Sequence, residues 1–122
     1  IALAEQHVER TKVFTEVINT ATNNGIAYFY RDHDYDKYEL YIHNFWHMFW
    51  NVSETDYLKY RLGLMDEGIW QARYNIMKRN KSRENYTSRA CHTAERVWQG
   101  KSTQLDSEFV KLINAIPSKD CT

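Results

Sequence analysis

The sequence predicts an all-α protein, a single compact bundle of five or six helices around an aromatic-rich central helix. Three observations carry that prediction. Apolar residues recur at three- and four-residue steps through most of the chain, the period of a helix with one face buried. One Pro and four Gly in 122 residues are too few for the closely spaced turns of a β-rich fold. A hydrophobic fraction of 43%, with 15% aromatic, is enough to fill a packed interior and excludes a disordered chain. At this length one core, and so one domain over residues 1–122, is expected.

Taken in order, Ala2 to about Asn23 reads as a leading helix with Val13, Phe14, Val17, Ile18 and Ala21 on one face and a polar first two turns. Gly25 is a suitable stop, because glycine tolerates the left-handed conformation of a helix end. The charged connection around Asp34 and Asp36 can cap the next helix with negative charge at its positive dipole end. That helix, Tyr35 to Asn51, is crowded with tyrosine, phenylalanine, tryptophan and two histidines, and holds neither Gly nor Pro. Tyr38, Tyr41, Ile42, Phe45, Met48, Phe49 and Val52 form an apolar stripe expected to face the core. Glu39, His43, Trp46, His47 and Trp50 form a second, mixed face.

Asn51 is expected to end the aromatic helix, with Ser53 and Asp56 opening a short helix from Glu54 to Leu62 and Gly63 closing it. Asp66 should cap a helix from Glu67 to about Arg79 that buries Ile69, Trp70, the stem of Arg73, Tyr74 and Met77. Asn80-Lys81-Ser82 reads as a turn. Arg83 to Gln99 forms the next helix, and Thr103 to Ile116 the last, ended by Pro117. The tail 118–122 is expected to be loose.

Charge and cysteine content narrow the function classes. Sixteen acidic and sixteen basic residues set up no global field for nucleic acid or membrane. The distribution is uneven: eleven acidic and six basic residues up to Glu67, five and ten after it. No run of about 18 apolar residues is present to span a bilayer. The chain begins at Ile1 with no initiator Met, so a fragment with room for an upstream membrane anchor is expected. A cytoplasmic or membrane-tethered soluble setting follows. Cys91 and Cys121 lack zinc-ligand spacing and read as free thiols in a reducing compartment. Asn51-Val-Ser53 and Asn85-Tyr-Thr87 match the short glycosylation pattern, which has meaning only in a eukaryotic secretory setting.

Three sets of residues could carry function. Glu39, His43 and His47, at steps of four, line one helical stripe. Such a pair of imidazoles, joined by His92 and Glu95 from a facing helix, could hold iron, zinc or manganese. The ordinary alternative is two histidines bonded at a buried seam. The segment Arg73 to Lys101 holds eight basic and two acidic residues. Its Lys78, Arg79, Lys81, Arg83 and Arg89 straddle a turn, as in a helix-turn-helix contact to nucleic acid. The ordinary alternative there is a solvated turn with cations at a helix C-terminus. Third, Trp46, Trp50, Phe14 and Tyr28 are candidate interface anchors for a protein partner or a second copy. No phosphate loop, nucleophile elbow or Cys-His or Ser-His-Asp set is present, so no catalytic residue and no obligatory cofactor is assigned.

The polar leading helix, the His43-Asn44-Phe45-Trp46 stretch and the Gly63-Leu64-Met65-Asp66-Glu67 turn before a Trp-bearing helix resemble, over residues 1–80, small bacterial helical domains of unknown function that follow an N-terminal membrane anchor. The resemblance implies a non-enzymatic sensory or accessory role and brings no functional residues with it. The expectation is therefore a helical interaction module, with a metal-binding bundle as the alternative and nucleic-acid contact third.

Overall fold

The computed structural model describes Glu16 and residues 37–121. The expected leading helix, and with it Phe14, Tyr28 and the connection at Asp34 and Asp36, lies outside them. Among the described residues the chain is helical, with α1 at Lys37–Arg61, α2 at Glu67–Ser82, α3 at Ser88–Lys101 and α4 at Ser107–Asn114. A single 3-10 turn, Ser102–Gln104, follows α3. The long α1 is the spine: α2 and α3 both pack on it, and α4 packs on α2.

α1 runs unbroken through the stop expected at Asn51. No Gly or Pro interrupts it there, and Ser53 and Asp56 are buried within the helix instead of opening a new one. Thr55 Oγ1 donates to the Asn51 carbonyl at 3.0 Å, the back-bond of a hydroxyl in a continuing helix. The helix ends at Gly63, in the left-handed region at φ +74°. There Gly63 N–H donates to Tyr60 O at 3.0 Å and Leu64 N–H to Lys59 O at 2.9 Å, the paired bonds of a Schellman end.

Asp66 caps α2 as its sequence position implies, its Oδ2 accepting from Gly68 N–H at 2.9 Å and Ile69 N–H at 3.4 Å. Tyr60 O–H donates to Glu67 Oε2 at 2.7 Å across the same turn. Tyr60 and Tyr74 both stack on Trp70, at ring separations of 4.7 and 5.6 Å. The expected turn at 80–82 is helical, because α2 continues to Ser82 and ends at Arg83, a non-glycine residue at φ 59°. α3 then starts at Ser88 and not at Arg83, with the Thr87 hydroxyl accepting from Ala90 N–H at 3.2 Å.

The last expected helix is shorter too. Asp106 takes the cap, accepting from Phe109 N–H at 3.1 Å, so α4 begins three residues after the 3-10 turn. The Asp106 N–H donates to Glu54 Oε2 at 2.6 Å, fixing the start of α4 to α1. The core gathers Trp46, Trp50, Trp70, Met77, Val97, Trp98, Phe109 and Ile113. Trp98 buries its ring and still satisfies its indole, whose N–H donates to Asn114 Oδ1 at 2.9 Å.

Two expectations are corrected by chemistry at the C-terminus. Cys91 and Cys121 are joined in a disulfide and are not free thiols. The tail is correspondingly held in place. Lys119 N–H donates to Ser82 O at 2.9 Å, and Ser118 Oγ meets both Lys81 Nζ and Lys81 O at 2.7 Å.

Candidate functional site

The mixed face of α1 is buried, and of the apolar stripe Met48 and Val52 are buried as expected while Tyr41, Ile42, Phe45 and Phe49 are more open. Trp46 and Trp50 are 4% and 2% exposed, and His43 and His47 are buried beside them. Tyr41, from the stripe expected in the core, is 48% exposed, and Ile42, Phe45 and Phe49 are only half-buried. The physical reason is area: two indoles bury more apolar surface than the tyrosines opposite. Trp50 meets Trp98 at 4.6 Å, Phe49 at 4.9 Å and Phe109 at 6.4 Å between ring centroids. Trp46 and Trp50 are therefore core residues of the domain and not surface anchors.

The candidate metal ligands part company. His43 and His47 remain neighbours, with ring centroids 4.5 Å apart. Glu39 Oε1 instead accepts from Arg89 NH2 at 3.3 Å, bridging α1 to α3. Glu95 is in an ion pair with Arg83, and its second oxygen accepts from Gln99 Nε2 at 2.9 Å. His92 faces solvent. Among the described residues, no three His, Cys, Asp or Glu side chains converge on one point that could hold an ion.

The basic turn is taken apart in a similar way. Lys81 and Arg83 are buried, Lys81 against Ser118 and Arg83 against Glu95. Burial, and next the charge of Arg83, hold the Lys81 ammonium below the usual lysine range. Burial alone would raise the Glu95 carboxyl, but the hydrogen bond and charge of Arg83, with Gln99 and Lys81, bring it below its ordinary value. Lys78 lies over the Tyr74 ring at 5.0 Å, and Arg89 is engaged with Glu39. No continuous basic face for phosphates is assembled from these five, because two of them are internal.

A cleft that sequence reasoning did not single out lies between α1 and α2. Met48, Phe49 and Val52 form one wall, Ile76 and Met77 the other, enclosing about 100 Å³. Its polar end is Ser53, Asp56 and Arg73. Asp56 is buried, and its Oδ2 lies 3.9 Å from Arg73 Nε, an ion-pair distance too long for a hydrogen bond. The Arg73 Nε–H is itself buried with no hydrogen-bond acceptor. The available signal was the spacing of Phe49, Val52, Ser53 and Asp56, which share one face only if α1 continues past Asn51. Ending the helix there hid it.

With this geometry in view, comparison with protein-family models, curated proteins and solved structures finds no match.

Proposed function

We propose that this chain is a non-enzymatic helical interaction module of a sensory or accessory kind, and that the α1–α2 cleft is the surface through which it meets a second copy of itself. The observation that carries the reading is the cleft: an apolar recess, open to solvent, sized for a side chain and floored by a charged pair. Ile76 on its rim and Tyr41 further along α1 are 37% and 48% exposed, extending apolar surface beyond it. A formal charge of zero, with an acidic first half and a basic second half, sets no electrostatic barrier between copies. The disulfide favours an oxidising compartment for the domain, on the far side of any upstream anchor.

Solution mass tests this. The wild type should be larger than one chain by light scattering, and Ile76→Glu should return it to one chain while leaving its helical circular dichroism intact. A wild type of monomer mass at high concentration would count against the cleft as a self-association surface. The adjacent imidazoles of His43 and His47, ring centroids 4.5 Å apart, support a second reading, a transition-metal site built on that pair. Elemental analysis of wild type and His43→Ala decides it, since stoichiometric metal lost in the variant is required.

A further inference from the structure

We propose that residues 117–121 form a redox-releasable strap, held closed by the Cys91–Cys121 disulfide over the C-terminal end of α2. The covalent link joins a buried residue of α3 to a more exposed one of the strap, 30 positions apart. Apart from it, the strap is held by few bonds: Lys119 N–H to Ser82 O, and the Ser118 hydroxyl between the ammonium and carbonyl of Lys81. Pro117, Ser118, Lys119 and Asp120 are all exposed and bury no apolar side chain. A segment with so little burial opens locally at small cost unless it is tethered. The tether therefore sets whether the strap is closed.

What the strap covers makes the release consequential. Lys81 is buried beneath it, next to Arg83, whose left-handed conformation ends α2 and whose guanidinium reaches Glu95. Opening the strap returns the Lys81 ammonium to water, and its depressed pKa relaxes towards the usual lysine value.

A dithiol reductant supplies the chemistry. Its thiolate attacks the sulfur of Cys121, the more accessible of the two, so that the Cys91–Cys121 bond breaks and Cys91 leaves as a thiolate that takes up a proton. The second thiol of the reductant then displaces Cys121 as a thiol and closes the reductant into a disulfide. Two electrons and two protons pass to the protein.

Hydrogen exchange and amine acylation of the intact protein, before and after dithiol treatment, test the proposal. Reduction should speed exchange of the Lys119 amide well beyond that of any amide in α1 or α3, because the strap loses its covalent tie. Acylation of Lys81 by a small activated ester should rise with it, while amides of α1 and α3 keep their protection. Cys121→Ser should reproduce the reduced behaviour, and it leaves the buried Cys91 in place. Unchanged Lys119 exchange and Lys81 reactivity on reduction would overturn the proposal. So would simultaneous loss of protection in α1 and α3, because the disulfide would then be a staple of the whole domain and not of a strap.

Discussion

Replacing Trp50 by Ala tests which face of α1 is inside. The indole is 2% exposed and lies between Trp46, Phe49, Trp98 and Phe109, with ring centroids from 4.6 to 6.4 Å away. Deleting a buried Trp removes its transfer free energy and leaves a cavity that these rings close only in part. The cost is about 3–5 kcal/mol. For a domain of this size, whose total stability is on the order of 5–15 kcal/mol, that is a large share. Tyr41→Ala, from the opposite face, should cost less than about 0.5 kcal/mol because half the side chain is already in water. Urea denaturation under non-reducing conditions, followed by tryptophan fluorescence for Tyr41→Ala and by helical circular dichroism for both, gives the two values. A Trp50→Ala midpoint equal to wild type, or a larger loss for Tyr41→Ala, would refute the assignment and turn α1 over.

Other consequences follow from single residues. Gly63→Ala should lose about 1 kcal/mol by the same denaturation, all of it backbone strain at φ +74°, since an added Cβ there meets nothing within 4 Å. Asp66→Ala should lose about 1 kcal/mol, because two N–H groups at the start of α2 lose their acceptor. In acid, the Glu95 carboxyl binds its proton less readily folded than unfolded. Its contribution is thus complete above its ordinary pKa and is lost as pH falls through the lower folded value. Glu95→Gln should flatten that part of a urea-midpoint titration. Lys81 acts at the other end of the scale: folded, it releases its proton more readily, so the unfolded chain holds more protons and this group's contribution to stability rises with pH towards the ordinary lysine pKa.

The helical class and the signals at Gly63, Asp66 and Pro117 were legible because they depend on local chemistry. Gly63, Asp66 and Pro117 act through their own backbones or through N–H groups two or three positions away, and each does what its type implies. The break expected at Asn51 was not local in that sense. Ser53 and Asp56 have the spacing of a cap, but a cap requires the serine to leave helical geometry. Doing so would pull Met48, Val52 and Asp56 off the face they share against α2. Tertiary burial outweighs the capping preference of two polar residues, which is on the order of 1 kcal/mol.

The functional candidates were harder to read for a related reason: a side chain's period along a helix says which residues share a face but not what that face meets. Glu39, His43 and His47 do share a stripe, yet Glu39 is drawn to Arg89 and Glu95 to Arg83, so charge pairing between helices separates residues that spacing had grouped. The same pairing removes Arg83 from the basic turn, and the disulfide-bound tail removes Lys81. Cysteine spacing gave no hint of that bond, because its partners come from α3 and from the segment after α4. The residues left over are Asp56 and Arg73, 3.9 Å apart at the end of an apolar recess with an arginine N–H that has no acceptor. The Asp56–Arg73 pair lies in the recess that forms because α1 continues past Asn51, so an expected stop at Asn51 hides it in the sequence.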